Sequence, residues 1–255
     1  MRVNTLKQKL AAGRRVCGVL VDVNSEDLVE VFGHLGFDFA ALDAQHGGVD
    51  PERARGLFRA AELTGLATVV RVARNDPAEI LRYLDAGAGG IIVPNVMSGA
   101  EAAAAVAAMK YPPLGRRGAA GRSRAAGYGL RQSPAEYFAA ANAEVLFMPL
   151  VEDPEALDHL PAICGAAGVD AVLAGPGDLS LAMGVPGGFR APRVQAAVER
   201  IRAAAVAAGR PAITLAPDAE AGRALYAQGF QGLIVAPTGL LVAACRDFLE
   251  RIGRS

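Results

Sequence analysis

Residues 68–96 read TVVRVARNDPAEILRYLDAGAGGIIVPNV. The segment begins with an apolar, β-branched run, continues after Asp76-Pro77 with helical periodicity, stops at Gly87 and returns to a second apolar run. A capping carboxylate followed by proline marks the start of a helix, and glycine marks its end. The segment therefore predicts one strand–helix–strand unit in which a helix joins two parallel strands.

The same alternation runs along the whole chain. Strands are predicted at 16–21, 39–43, 68–72, 90–94, 145–151, 170–174, 212–215 and 233–235, with helices near 25–35, 51–64, 77–86, 99–110, 154–165, 192–208, 218–228 and 239–252. Eight units with no segment left over favour a single (β/α)8 TIM barrel over residues 1–255, and a doubly wound open sheet is the structural alternative. Two connections, 111–144 and 175–191, are longer than packed elements need. The first is rich in Gly and Arg and fits a lid, a substrate gate or a subunit contact.

Composition narrows the classes of function. Lys plus Arg equals Asp plus Glu, 26 against 26, which gives no basic field for nucleic acid or anionic lipid and favours a small partner. The three cysteines are far apart and have no Cys-x-x-Cys spacing, so neither a disulfide framework nor a thiolate zinc site is expected. The chain shows no signal-peptide pattern, and no apolar run approaches the roughly 20 residues of a membrane span. We therefore expect a soluble, cytoplasmic protein without nucleic-acid or membrane partners.

Polar side chains follow several of the predicted strands. Barrel enzymes build their sites at the C-terminal strand ends, where this chain has Asp43, His46, Arg71, Glu152 and Asp178. Glu152 and Asp178 follow adjacent strands, and a pair of carboxylates suits a hard divalent cation such as Mg²⁺ or Mn²⁺. The structural alternatives are a helix cap or salt bridge for Glu152 and a turn role for Asp178 in GPGDLS.

Two further side chains each allow two interpretations. His46, in the glycine-rich segment LDAQHGGVD, is either a general acid/base, because imidazole titrates near neutral pH, or a solvated loop residue. Arg71 interrupts the apolar strand in VVRVARND, where a charge is costly without a partner. That partner is either a structural carboxylate or an anionic substrate oxygen.

Several longer motifs occur in one order along the chain: LKQKLAAGRRVCG, GFDFAALDAQHG, VVRV, YLDAGAGGIIVPNV, YPPLGRRG, LVEDPEAL and GVDAVLAGPGDLSLAMGVPG. Over most of its length the chain thereby resembles the HpcH/HpaI aldolases. The resemblance implies a metal-dependent (class II) aldolase that adds a pyruvate or hydroxypyruvate enolate to an aldehyde and, in reverse, cleaves 4-hydroxy-2-oxoacids. The alternatives are a citrate-lyase-like enzyme acting on an acyl-CoA thioester, with the Arg-rich loop 115–124 as a contact for the coenzyme, and a binding barrel with a vestigial site.

The resemblance also implies roles for individual residues. Glu152 and Asp178 would hold the divalent metal, Mg²⁺ or Mn²⁺ with Co²⁺ as a further candidate. Arg71 would face the keto or enolate oxygen of the substrate, and His46 would act as the acid/base. A Schiff-base (class I) aldolase would instead need a lysine at a strand end. The three lysines, Lys7, Lys9 and Lys110, precede the first strand or end the fourth helix, so we exclude that mechanism.

Two implied roles concern assembly and the substrate carboxylate. Asp85 would support the basicity of His46, but it ends helix 77–86 on the face away from the site, so the contact would cross a subunit interface. We therefore expect a homo-oligomer, a trimer or a hexamer, whose C-terminal helix packs on a neighbouring subunit. Backbone N–H groups around Gly177 and Asp178 would bind the substrate carboxylate.

The chain departs from the family pattern at several site positions. Gln45 replaces the usual Glu beside His46, Leu150 replaces a Gln two positions before the metal Glu, and Gly177 replaces Ala or Ser. The aromatic residue common after the first strand is absent from GVLVDVNS. Leu150 and Leu215, the latter counted as a substrate contact, predict a less polar pocket than an enzyme for sugar acids would have. These changes concern the aldehyde side of the site.

Overall fold

The computed structural model describes residues 2–254 and contains a closed barrel of eight parallel strands. The strands are β1 Val16–Val21, β2 Phe39–Asp43, β3 Ala67–Arg71, β4 Gly90–Val93, β5 Leu146–Val151, β6 Val172–Ala174, β7 Ala212–Leu215 and β8 Gly232–Val235. Each strand pairs with the next in the chain, and β8 returns to pair with β1 through Val16 with Gly232 and Val19 with Val235. The prediction of a (β/α)8 barrel is confirmed, and the open sheet is excluded.

Alternate residues of each strand face either the barrel interior or the surrounding helices. The interior cluster takes Phe39 and Ala41 from β2 and Met148 and Leu150 from β5, all buried. The residues between them, such as Ala40, pack in a second, larger cluster against the helices. This alternation decides which strand-end residues point into the mouth of the barrel.

Eleven α-helices occur within residues 2–254. They are α1 Thr5–Ala11, α2 Glu26–His34, α3 Pro51–Thr64, α4 Pro77–Ala86, α5 Gly99–Met109, α6 Pro134–Glu144, α7 Leu160–Gly165, α8 Pro176–Ala182, α9 Pro192–Ala207, α10 Ala219–Gln228 and α11 Pro237–Arg251. Asp50 and Asp76 cap α3 and α4 by accepting backbone N–H groups, as predicted. Gly65 and Gly87 end these two helices with positive φ angles of 73° and 123°.

Three helices lie where the sequence predicted none. Helix α1 closes the N-terminal end of the barrel, because Leu6 and Leu10 join the interior cluster. Helices α6 and α8 lie inside the two long connections, so 111–144 and 175–191 are not continuous loops. The apolar patterns of these helices are short or weak, and the predicted helix 154–165 likewise divides into a 3-10 helix, Pro154–His159, followed by α7.

The last helix, α11, contains no buried residue. Its side chains Leu241 and Phe248 are 64% and 62% exposed, although an apolar helix face normally packs on a core. Near its start, the Thr238 hydroxyl donates a hydrogen bond to the Asp22 carboxylate after β1. Within residues 2–254, none of the helices is both long and apolar enough to cross a bilayer.

One glycine of β1 makes room for the largest interior side chain of β2. A Cβ on Gly18 would lie 2.4 Å from the Phe39 ring, which is itself fully buried. We predict that Gly18→Ala lowers the free energy of unfolding by about 1–3 kcal/mol, because the core must shift around the added methyl group. Urea denaturation measures this change. Gly165→Ala is the matched control, since its Cβ would meet nothing within 4 Å, and an equal loss in both variants would contradict the packing argument.

Candidate active site

The mouth of the barrel at the C-terminal strand ends is divided by charge. The strands β2, β3 and β5 present Asp43, Arg71 and Glu152 to it. The strands β1 and β7 present Leu20 and Leu215, which pack on the interior cluster but are only partly buried. One side of the mouth is therefore charged and the other is apolar.

Arg71 and Asp43 form a two-pronged ion pair across neighbouring strands. The register of β2 and β3 places them directly opposite each other. Arg71 Nη2 lies 2.7 Å from Asp43 Oδ2, and Arg71 Nε lies 3.0 Å from Asp43 Oδ1. The side chains are 13% and 4% exposed, so the pair is shielded from water and the guanidinium is held in one orientation.

Asp43 also organises the loop that carries His46. Its Oδ1 atom accepts the backbone N–H groups of Gln45 at 3.1 Å and His46 at 3.2 Å. Burial by itself raises the pKa of Asp43, but the hydrogen bonds and charge of Arg71, together with these N–H groups, outweigh it and hold the pKa below its usual value. The carboxylate therefore stays ionised while it fixes both Arg71 and the loop, and the His46 side chain is left exposed at the rim.

Glu152 and Asp178 come together as the sequence predicted. Glu152, directly after β5, is 3% exposed, and Asp178 lies in the first turn of α8. Burial raises the pKa of Glu152, and its hydrogen bond with Asp178 and the negative charge of that group raise it further, to about 8. The backbone N–H of Asn95, 3.0 Å from Glu152 Oε1, and the charge of Arg71 act in the opposite direction. The buried carboxylate of Glu152, in contact with the half-buried Asp178, needs a proton or a cation.

The same pair fits a divalent cation. Its donors are all carboxylate oxygens, which Mg²⁺ and Mn²⁺ prefer as ligands. Arg71 is close enough to the pair for its charge to lower the pKa of Glu152. Within the described chain the pair has no third His, Cys, Asp or Glu to form a closed cage. Magnesium sites commonly complete their shell with water and substrate oxygens, so a two-carboxylate site is chemically sufficient. The cap alternative for Glu152 is wrong, because Asp153 caps the helix that follows.

Gly177 lies beside this pair, in the first turn of α8. Because the residue before the helix is Gly175, no side chain caps that turn. A Cβ on Gly175 would lie 2.8 Å from Glu152 Cβ, which explains why the backbone can approach the carboxylates closely there. The interpretation of Asp178 as a loop turn residue is corrected, since it belongs to a helix.

Asp85 does not join the others within one chain. Its Oδ1 atom accepts a hydrogen bond from Arg117 Nη2 at 2.7 Å, and the Arg117 side chain is 1% exposed. Arg124 binds Glu62 at 2.7 Å and the carbonyl of Ala86 at 3.2 Å. The Arg-rich loop is thus fastened to the C-terminal ends of α3 and α4, toward the N-terminal side of the barrel.

The three lysines also lie at that N-terminal side. Lys7 and Lys9, in α1, pair with Asp170 and Asp38 at 3.0 and 2.6 Å, just before β6 and β2. Burial lowers the pKa of Lys110 to about 8, a value that suits an amine nucleophile. Its Nζ atom, however, donates to the carbonyls of Asn142 and Val145 before β5, at 2.7 and 2.8 Å. Placement therefore excludes a lysine nucleophile at the mouth.

Two surface clefts lie elsewhere on the barrel. One, of about 480 Å³, is bordered by α5 and α7, and the other, of about 520 Å³, is bordered by α1 and the start of β7. Neither contains a residue of the charged half of the mouth. Their linings lack the paired carboxylates and the oriented guanidinium, so chemistry places the site at the mouth instead.

Two contributors were missed by sequence reasoning. Asp43 was recognised only as a strand-end acid, although its register with Arg71 makes it the partner of that cation. Asn95 takes a left-handed conformation, φ 52°, and directs its N–H to Glu152. Asparagine adopts the left-handed backbone conformation more readily than most residues. An asparagine directly after Pro94 was therefore the feature of the sequence that could have indicated this turn.

Comparisons with known proteins identify the family of the chain. The family model described as HpcH/HpaI aldolase/citrate lyase matches residues 17–244. A hydroxypyruvate/pyruvate aldolase of Sagittula stellata is 40% identical over 76% of both chains, and a 5-keto-4-deoxy-D-glucarate aldolase of Klebsiella pneumoniae is 36% identical over 87% of this chain and 86% of its own. A crystal structure of an HpcH/HpaI aldolase/citrate lyase family protein from Burkholderia cenocepacia has a TM-score of 0.93 and 32% identity over 98% of this chain and 99% of its own.

The chain belongs to the HpcH/HpaI aldolase/citrate lyase family. It is an enzyme of the carbon–carbon lyase class, as its aldolase relatives are.

The Asp43–Arg71 pair gives a stability prediction. Asp43→Asn leaves a buried guanidinium without its counter-charge and should cost about 3 kcal/mol of unfolding free energy. The double variant Asp43→Asn/Arg71→Met should cost less than the single one. Because the folded-state pKa of Asp43 is lowered, its contribution is complete above the unfolded-state pKa of about 4 and is lost as the pH falls through the folded value. Urea titrations at several pH values measure both effects, and strictly additive losses would contradict the pairing.

Proposed function

We propose that the protein is a metal-dependent pyruvate aldolase that cleaves and forms 4-hydroxy-2-oxoacids. The observation that carries the proposal is the contact between Glu152 and Asp178, beside the fixed guanidinium of Arg71, at the C-terminal mouth of a barrel. A retro-aldol reaction needs positive charge where the electron pair of the broken bond collects. This part of the mouth supplies one cation, Arg71, and a pair of carboxylates that can bind a second cation, a metal ion.

The metal would be held by Glu152 and Asp178, with Mg²⁺, Mn²⁺ or Co²⁺ as candidates. When bound, it supplies positive charge beside the keto oxygen of the substrate. Arg71, held in one orientation by Asp43, supplies a second positive charge at that oxygen. The uncapped first turn of α8, with the N–H groups of Gly177 and Asp178, binds the substrate carboxylate.

His46 handles the proton of the C4 hydroxyl. In cleavage that proton leaves to His46, the bond between C3 and C4 breaks, and its electron pair stays with the three-carbon fragment. Protonation of that fragment at C3 gives pyruvate, and C4 leaves as an aldehyde. The exposed position of the imidazole at the rim fits this role, because the loop is fixed through Asp43 while the ring remains open to a substrate.

Self-association is part of the proposal. The exposed apolar side chains of α11, such as Leu241 and Phe248, need a cover that the chain itself does not provide. A neighbouring subunit, in a trimer or hexamer, would bury this helix. Asp85, oriented by Arg117, would then support His46 of the partner subunit rather than its own.

The thioester lyase alternative has less support. The cations of loop 115–124 that would meet the coenzyme A phosphates are partly engaged, Arg117 with Asp85 and Arg124 with Glu62. They also lie toward the end of the barrel away from the carboxylate pair. We therefore favour an aldehyde product over a thioester.

The metal is tested by chelation and by pH. EDTA should abolish pyruvate release from 4-hydroxy-2-oxoacids, and Mn²⁺, Mg²⁺ or Co²⁺ should restore it. Glu152 holds a proton up to about pH 8, and a metal must displace that proton. The affinity for Mn²⁺ should therefore increase about tenfold per pH unit below pH 8 and stay constant above it. Free Mn²⁺ is measured by electron paramagnetic resonance. The control is Asp153→Asn, which keeps the metal carboxylates, whereas Glu152→Gln should lose binding. Full activity in EDTA would refute the metal.

The shared site is tested by complementation. His46→Ala and Asp85→Ala should each be nearly inactive alone. Co-expressed, they should recover up to about a quarter of the wild-type activity, because that fraction of sites combines an intact His46 with an intact Asp85 of the partner. Retro-aldol activity of the purified mixed oligomers is the measurement. Co-expression of His46→Ala with Arg71→Ala is the control. His46 and Arg71 of one site come from the same chain, so this pair should recover no activity. Recovery in the control without recovery in the first pair would contradict the arrangement.

A further inference from the structure

The rim of the barrel mouth has few free positive charges. Among the connections that follow the strands, the arginines are Arg74 and Arg190. They lie 3.9 Å from Asp76 and 3.3 Å from Asp218, and their side chains are 79% and 84% exposed, so they extend into solvent. Arg71, on β3, is already bound to Asp43. Arg53, in the first turn of α3, is bound to the Asn24 carbonyl and to Glu26. Among the described residues, the cation held on the strands of the mouth is therefore Arg71, on the pyruvate side.

The opposite side of the mouth offers apolar surface. Leu20 of β1 and Leu215 of β7 belong to the barrel interior but remain partly exposed at its C-terminal end. Between them, β8 contributes the buried Ile234. Leu150, in β5 and two residues before Glu152, is 1% exposed and forms an apolar floor beneath the carboxylate pair. A substrate group that extends from the metal corner across the mouth meets these leucines first.

Beyond the leucines the rim after β1 carries a carboxylate. Asp22 directly follows β1 and accepts a hydrogen bond from Thr238 in the first turn of α11, the helix after β8, which places its carboxylate on the same side of the rim. Its Oδ1 atom is buried without a hydrogen-bond donor among the described residues, and so is Gln45 Oε1 on the loop after β2. An anionic group here would be repelled by the Asp22 carboxylate. A methylene chain or a hydroxyl would not.

We infer that the aldehyde half of the site takes an uncharged aldehyde, so that the cleaved substrate is a 4-hydroxy-2-oxoacid with no carboxylate beyond C4. This rests on the proposed function, because it names the second substrate of the same site. The two ends of the substrate bind to different kinds of groups. Cations bind the 2-oxoacid end, and apolar side chains and acceptor atoms bind the other end. Discrimination comes from what the distal side lacks as much as from what it offers.

The experiment compares two four-carbon aldehydes that differ at the far end, butanal with a methyl group and succinic semialdehyde with a carboxylate. Each is condensed with saturating pyruvate and Mn²⁺ by the full-length enzyme, and kcat/KM for the aldehyde is measured. We expect butanal to be preferred by at least about tenfold, since Asp22 repels a like charge at short range and the leucines favour the methylene chain. Raising the salt concentration should narrow the preference, because ions screen a charge effect and not a steric one.

Two variants assign the effect to the rim. Asp22→Asn removes the negative charge with little change of shape and should narrow the preference by about threefold to fivefold. Leu20→Gln should lower kcat/KM for butanal more than for succinic semialdehyde. Asp27→Asn, an exposed acid in the first turn of α2, is the matched control and should leave the preference unchanged.

The outcome also separates this inference from the function it rests on. Deuterium exchange at C3 of pyruvate, measured by NMR without aldehyde, reports the pyruvate side alone. Metal-dependent exchange together with equal or better use of succinic semialdehyde would overturn the inference and leave the function standing. No exchange and no condensation with either aldehyde would overturn both.

Discussion

The pairing of β8 with β1 is the constraint on which the rest of the molecule depends. Four residue pairs, from Val16 with Gly232 to Val19 with Val235, turn a sheet of eight strands into a closed ring. An open sheet would leave edge strands with unpaired backbone groups and would spread the strand ends along a line. Closure brings residues from β2, β3, β5 and the start of α8 to one mouth, although they are far apart in sequence.

Within that mouth, charge is arranged so that each group fixes another. Asp43 is satisfied by Arg71 and by two N–H groups of its own loop, which leaves no freedom in the guanidinium. Glu152 is arranged in the opposite way, because its burial and its contact with the half-buried Asp178 leave it short of positive charge. A rigid cation beside an unsatisfied acidic pair is suited to hold a metal and an anionic substrate together.

Much of this could be predicted from the sequence. Apolar strand patterns that alternate with helical periodicity predicted the barrel, and six of the eight predicted helices begin and end within one residue of the observed bounds. Asp-Pro pairs and glycines marked the ends of helices such as α3 and α4. Glu152 and Asp178 could be paired because consecutive strands of a barrel are neighbours. The helices α1, α6 and α8 were missed, because they are short or only weakly amphipathic and owe their stability to what they pack against.

The sequence by itself determined the fold and the absence of a lysine at a strand end, and it predicted the chemical type of the site, because periodicity, capping and residue type act over a few neighbouring positions. Only the tertiary structure decided which charges meet. The register of two strands pairs Arg71 with Asp43, and a folded-back loop pairs Asp85 with Arg117. Leu20 and Leu215 remain partly exposed above the interior cluster. Such contacts depend on distances between residues remote in the chain, and those distances exist only once the barrel has closed.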